Sequence, residues 1–331
     1  GICRGSRNVL ARYYQAIPIG ITVEGANILT RTLIVFGQGV LRCHPHAQDE
    51  VRAAMQGDLV AFDKAFVKHV GNAASVSARA VWTAVLGGGL SPAAGSAESA
   101  RLVNGLTRFS AAFAFSTEMA MLTVGGQLKR REALSGRLAD CMAWLYFGSA
   151  ALHRFEAGGC KPEEIPFLRW STETCLKNLQ DSIDGLLRNL PNAFLGTCLR
   201  RALFPFGLPY GGPSDELTCS LAKHAMENEA TRAMLVKGVH IPSEESFGLG
   251  SLEATFQRLR TLAPVRKKLR AGVRARKLAR GPEAGMLEAA VEAGVLEAAE
   301  ASALGKALAA RDEQMQVDAF DAEAYLDRCG A

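Results

Sequence analysis

Hydrophobic positions recur at three- and four-residue intervals along almost the whole chain, and alternating Val, Ile and Thr runs are nearly absent. That spacing puts apolar side chains on one helical face, so the expected fold is all-α, built from antiparallel helical bundles without a sheet. Helices are expected over 7–16 and 27–42, joined by a loop over 17–26. Pro18 and Gly20 break the first, and Asn27 offers a cap for the second. The second helix stops at Cys43-His44-Pro45, because a residue before proline is pushed out of helical geometry. Further helical runs cover 47–56, 58–87, 96–124, 128–157 and 172–190, punctuated by Gly87 to Gly89, Gly125-Gly126 and Pro191. Within 128–157, Leu134, Leu138, Met142 and Leu145 form a stripe expected to face a partner helix. A Pro/Gly/aromatic connector spans 204–213. Shorter helices are expected at 214–226, 228–237, 251–262, 264–280, 283–300 and 301–315. No internal repeat is visible.

The 331 residues allow two domains or one large one, at roughly 150 residues per domain. With 48% hydrophobic and 21% charged residues, a disordered tail is excluded and a sizeable core is allowed. Glu24, Arg31 and Glu118 interrupt the best apolar stretches, so a transmembrane span is not expected. Eight cysteines lie at least 15 residues apart with no CxxC, which fits neither zinc spacing nor a disulfide scaffold. They read as reduced, mostly buried thiols of a cytoplasmic protein. The opening Gly-Ile-Cys-Arg-Gly has no signal-peptide character and runs at once into a helical pattern, as in a chain picked up mid-domain.

The net charge of +5 hides an asymmetry: residues 283–331 carry eleven acids and three bases, and the rest of the chain carries the excess of cations. Residues 258–280 hold ten Lys/Arg and no acid, beside an apolar stripe of Leu262, Val265, Leu269 and Val273. One reading is an exposed face neutralised by the acidic helix of 283–300. Another is a helix lying on an anionic membrane surface, with an inner-membrane association. Nucleic acid is not expected, since no aromatic interleaves these bases.

Candidate chemistry is sparse. Cys43, His44 and His46 read as a helix-end cap and not as metal ligands, given Pro45 and the lack of a second cluster. His69, His153, His224 and His240 stand alone and receive no role. Ser96 with Glu98, and Ser214 with Asp215 and Glu216, look like helix starts and not nucleophiles. Lys129, Arg130 and Arg131 are a solvated face, or a phosphate contact. Glu24 is different: a lone acid among Ile21, Val23, Ile28 and Leu29, just before a helix start. Such a setting raises a carboxyl pKa toward the range of a general base, and Gly25 allows close approach of a ligand to the backbone. The competing reading is a first-turn acid favoured by the helix dipole.

The sequence Val23-Glu24-Gly25-Ala26-Asn27-Ile28, followed by Arg31, resembles the catalytic loop of acyl-CoA dehydrogenases. Ile21 to Arg31, Phe36-Gly37-Gln38-Gly39, Arg42-Cys43-His44-Pro45, Ala61 to Lys64, Leu128 to Glu132, Phe204-Pro205 and Val317 to Asp321 are similar to the bacterial FadE-type long-chain members. The resemblance implies that residues 1–45 are the closing helices and catalytic loop of the family's C-terminal bundle domain, and 46–331 a helical C-terminal extension. It implies Glu24 as the acceptor of the acyl-CoA α-proton and Gly25 as a backbone contact to substrate. Ala26, Asn27 and Ile28 would approach FAD. The commoner family pattern has Thr at the position of Ala26 and Gln at that of Ile28, so only backbone contacts to FAD are implied here.

The implied reaction is α,β-dehydrogenation of a long-chain acyl-CoA to the trans-2-enoyl-CoA, the first step of fatty-acid β-oxidation. The implied partners are the acyl-CoA substrate, an electron-transfer flavoprotein and further copies of the chain in a homo-oligomer. The family's earlier domains and most of its flavin-binding residues would precede Gly1, so this fragment alone is expected to be inactive. The alternative is a non-catalytic all-α module for membrane docking or assembly.

Overall fold

The structure, a computed structural model, describes residues 5, 9–23, 27–88, 97–243, 248–317 and 321. Among them helices alternate only with turns, and there is no strand, as the periodicity predicts. The helices are α1 (Val9–Ala16), α2 (Pro18–Val23), α3 (Asn27–Leu29), a π-helical segment (Thr30–Gln38), α4 (Gly39–Cys43), α5 (Ala47–Gln56), α6 (Leu59–Leu86), α7 (Ala97–Val124) and α8 (Glu132–Ala157). They continue with α9 (Ile165–Arg188), α10 (Ala193–Leu203), α11 (Asp215–Glu227), α12 (Glu229–Leu235), α13 (Leu249–Thr261), α14 (Ala263–Arg274), α15 (Leu287–Glu292) and α16 (Ala298–Met315). None of the described helices is long and apolar enough to cross a membrane. The chain forms two compact units, one of residues 25–224 and one of residues 225–331 with residues 1–24.

Local chemistry explains most of the helix ends in the first unit. Asp58 caps α6, its carboxylate accepting from the Ala61 N–H at 2.9 Å. Gly57 and Gly87 end α5 and α6 with φ of 68° and 66°, a left-handed geometry that glycine adopts without strain. Asn192 caps α10 by accepting from the Leu195 N–H, and Ser214 does the same for Leu217 at the start of α11. Ser214 is thus a helix start, as expected. Three expectations need correction. Residues 18–23 form a short helix and not a loop, because proline at the first helical position has no amide hydrogen bond to lose. Helix α9 starts at Ile165, seven residues before Thr172, preceded by a 3-10 turn opened by Pro162. The apolar periodicity between Pro191 and Phe204 also makes a helix, α10.

The core of this unit lies between α7, α8 and α9. Leu102 and Phe109 of α7 meet Leu176, Leu179 and Ile183 of α9, all five fully buried. Each such side chain contributes roughly 1.5–3 kcal/mol relative to exposure. On α8, Leu134 and Leu138 are buried as expected, but Met142 is 40% exposed and Cys141 takes the inner position. Two successive four-residue steps rotate a position by about 80° around the helix, which carries Met142 off the packed face. Helices α9 and α10 touch where Gly196 meets the Leu187 carbonyl, and a Cβ there would stand 2.3 Å from that oxygen. The backbone oxygen cannot move aside as a side chain can. Gly196→Ala is therefore expected to cost about 2 kcal/mol or more in urea unfolding of the chain. A wild-type midpoint would show that α10 shifts freely.

In the second unit, Leu269 of α14, Ala290 of α15, and Leu304 and Leu308 of α16 are fully buried in one cluster. Helix α14 ends at Arg274, short of the expected residue 280. Arg276 turns left-handed (φ 57°) and the Lys277 N–H donates back to the Gly272 carbonyl. The expected helix over 283–300 is likewise broken: Gly294 is left-handed (φ 64°), and Val295 N–H closes onto the Ala290 carbonyl. A capping box between Glu297 and Glu300 then starts α16.

Candidate functional site

Glu24, Gly25 and Ala26 lie outside the described residues. Asn27 opens α3, and Ile28, one position on, is 57% exposed. From Thr30 to Gln38 the chain follows a π-helix, whose widened turns are uncommon and frequently found at functional sites. Phe36 and Thr32 of this segment are buried, and the Thr32 hydroxyl donates to the Ile28 carbonyl at 2.7 Å.

Arg31 of the π-helical segment meets α8. Its Nε and Nη2 donate to the two carboxylate oxygens of Asp140, each at 2.5 Å. Such a fork fixes both the position and the plane of the guanidinium. The hydrogen bond to Asp140 outweighs desolvation and holds the Arg31 pKa above its ordinary value. One turn earlier on α8, Gly136 has no side chain, and a Cβ there would come within 3.0–3.1 Å of the guanidinium.

At the other end of the same helical stretch lies a polar cluster that periodicity does not reveal. Glu118 of α7 is buried (7% exposed) and accepts from His44 Nε2 at 2.9 Å, Asn72 Nδ2 at 3.0 Å and His69 Nε2 at 3.1 Å. His69 Nδ1 donates in turn to Glu50 of α5 at 2.7 Å. The isolated His69 is therefore a bridge between α5, α6 and α7. The available signal was a lone acid inside an apolar run, at Glu118, with His69 and Asn72 three apart on one helical face.

The ligand atoms of His44, His69 and Glu118 lie within 4.8 Å of one another, close enough for a metal ion. The hydrogen bonds argue otherwise. His44 Nδ1 accepts from the backbone N–H of His46 and of Ala47, so its proton sits on Nε2 and faces Glu118. A metal on Nε2 would require the imidazole to lose both protons. His44 thus accepts from amides at the start of α5, and not at the end of the preceding helix as expected, and donates to the buried acid.

Burial opposes the charge on Glu118, yet the hydrogen bonds from His44 and His69 outweigh it and hold this carboxyl below its ordinary range. Burial also works against His69, and its bonds to Glu118 and Glu50 outweigh that and raise its pKa. The raised His69 value contributes stability that is complete below about 6.5 and is lost as pH rises through the folded pKa. The lowered Glu118 value contributes stability above about 4.5 that is lost as pH falls through its folded pKa. The stability difference between wild type and His69→Gln, from thermal melts, is expected to be largest between these limits and to shrink as pH rises through the raised His69 value. A difference independent of pH would remove His69 from the ionic bridge.

A cavity of about 310 Å³ opens beside this cluster, walled by Val35, Phe36 and Val40 on one side and Val76, Phe113 and Met142 on the other. Its polar end is formed by His44, Asn72 and Glu118. The described cysteines are free thiols. Burial pushes the Cys141 thiol up and that of Cys175 to about 11, while Cys43, Cys198 and Cys219 are exposed, so burial is less general than expected.

The basic stretch is largely used within the second unit. Leu269 and Val265 are buried, and Leu262 and Val273 pack against the same core, so the apolar stripe faces the protein interior. Arg266 donates to both oxygens of Glu283, which also meets Arg270 and Arg311, and Lys268 pairs with Glu300 at 2.5 Å. Lys267, Arg274, Lys277 and Arg280 are exposed and make no ion pair among the described residues. Arg266→Gln is accordingly expected to cost about 1 kcal/mol of stability in urea and to leave co-sedimentation with anionic vesicles unchanged. Loss of vesicle binding at unchanged stability would assign Arg266 to a membrane surface.

Residues 41–320 match the family model described as acyl-CoA dehydrogenase, C-terminal, bacterial type. No solved structure matches the chain.

Proposed function

Because the chain belongs to the bacterial-type acyl-CoA dehydrogenase C-terminal family, we propose that it is the C-terminal part of a FAD-dependent enzyme that dehydrogenates long-chain acyl-CoA at the α,β position. The observation that carries this reading is the family match over residues 41–320, continuous with the Glu24 loop motif just before it. In this reading 1–45 closes the catalytic bundle and 46–331 is an added helical extension. The chain by itself is inactive, and the first step of fatty-acid β-oxidation needs the rest of the enzyme.

Glu24 takes the α-proton of the bound thioester. Gly25 leaves room for the substrate against the backbone. Hydrogen bonds to the thioester carbonyl, one of them from the backbone at Glu24, stabilise the negative charge that develops as the proton leaves. FAD, when bound, supplies acceptance of the β-hydrogen as hydride. Its fit to this chain is limited: Ala26 and Ile28 carry no hydrogen-bonding side chain, so those two positions offer backbone contacts at most. Stopped-flow reduction of the flavin by acyl-CoA, in the full enzyme with and without Glu24→Gln, tests the reading.

A further inference from the structure

Two hollows open along helix α7 and share Arg79 of α6. The first is the apolar cavity of about 310 Å³ beside the Glu118 cluster. The second, of about 390 Å³, is lined by Arg79, Thr107, Ser110, Leu145 and Ser149 among others. Helix α7 packs against both α6 and α8. Thr107, Ser110, Ala114 and Thr117 recur on it at three- and four-residue steps, so one face of α7 floors both hollows. Met142, Leu145 and Ser149 follow the same steps along α8, and Asn72, Val76 and Arg79 along α6. The two hollows therefore make one groove with helical walls.

The chemistry changes along that groove. Phe36, Val76, Phe113 and Met142 make one end apolar. At the other, Arg79 is exposed and pairs with no acid among the described residues, and the hydroxyls of Thr107 and Ser110 have no hydrogen-bond partner among them. Glu118 closes the apolar end, and its oxygens already accept from His44, Asn72 and His69. It attracts little further positive charge and repels a second anion, which confines an anionic headgroup to the Arg79 end.

We propose that this groove binds a free, unbranched alkyl carboxylate, with its carboxylate on Arg79 and Ser110 and its chain in the apolar cavity. From Ser110 to Thr117 the helix rises about 10 Å, the reach of an extended chain of roughly eight carbons. An apolar hollow with a few convergent polar groups at one end is the usual form of a small-molecule site. The groove lies wholly within residues 35–149, so the inference does not depend on the dehydrogenase reading or on Glu24.

The test titrates the 331-residue chain calorimetrically with octanoate, 1-octanol and acetate. We expect octanoate to bind, 1-octanol to bind about fivefold more weakly for want of the ion pair, and acetate not to bind. Arg79→Gln should lower octanoate affinity about fivefold and leave that of 1-octanol unchanged. Because Arg79 is exposed and has no partner among the described residues, this variant should fold as wild type. Met142→Trp, which fills the cavity from a half-exposed position, should weaken both ligands. Cys43 gives the location independently, since it is exposed and lines the apolar cavity. Octanoate should slow its alkylation by iodoacetamide, mapped by mass spectrometry, while exposed Cys198, outside both hollows, reacts at an unchanged rate. Equal affinities for octanoate and 1-octanol would overturn the proposal, as would wild-type octanoate affinity in Arg79→Gln. So would an absence of octanoate binding, or binding that leaves Cys43 unprotected.

Discussion

Glu24→Gln in the full enzyme is expected to slow reduction of the flavin by acyl-CoA by about a thousandfold, with flavin content and substrate affinity nearly unchanged. The amide keeps the size of the side chain and can still accept a hydrogen bond, but it cannot take up the α-proton. A positioned general base contributes roughly a hundred- to ten-thousandfold, so its loss should leave only slow reduction through solvent. A carboxylate base works only when ionised, so the wild-type rate should rise with pH as this group loses its proton. The variant should lack that dependence. Single-turnover traces across pH, normalised to bound flavin, provide the measurement. A variant that reduces flavin at the wild-type rate would remove Glu24 from the mechanism.

Glu118→Leu is expected to destabilise the chain by about 3 kcal/mol or more, because breaking a buried ionic cluster leaves its remaining members unpaired. Leucine approximates the volume of the acid, so little of the effect comes from a cavity. The loss falls on His44 Nε2, His69 Nε2 and Asn72 Nδ2, which all donate to Glu118 in the native chain. His69 would keep its bond to Glu50 and lose the one that ties it to α7. Equilibrium urea unfolding, followed by helical circular dichroism, gives the size of the effect. A cost under about 1 kcal/mol would mean that water satisfies these donors and that the cluster contributes little.

Periodicity and capping chemistry were enough for the all-α class and for most helices between residues 47 and 157, because local spacing decides which face is apolar and glycines mark the ends. Asp58, Gly57, Gly87 and Ser214 do in the structure what their types suggest. The family was legible for the same reason: the Glu24 motif and the segments down to Asp321 are contiguous strings of residues. Local spacing failed where a choice between neighbours was needed. Met142 and Cys141 are both apolar, and the helical rotation set by packing against α7 and α9 put Cys141 inside.

The basic helix shows the limit most clearly. Ten cations beside an apolar stripe are equally compatible with a lipid surface and a protein interior, and only the fold puts Leu269 against Leu304 and Arg266 against Glu283. The pairing of Arg31 with Asp140, 109 residues on, and of His44 with Glu118, 74 residues on, has no local signature at all. Charge and hydrogen-bonding capacity are written in the residue types. Which donor meets which acceptor is set by the crossing of helices far apart in the chain, and that belongs to the tertiary structure.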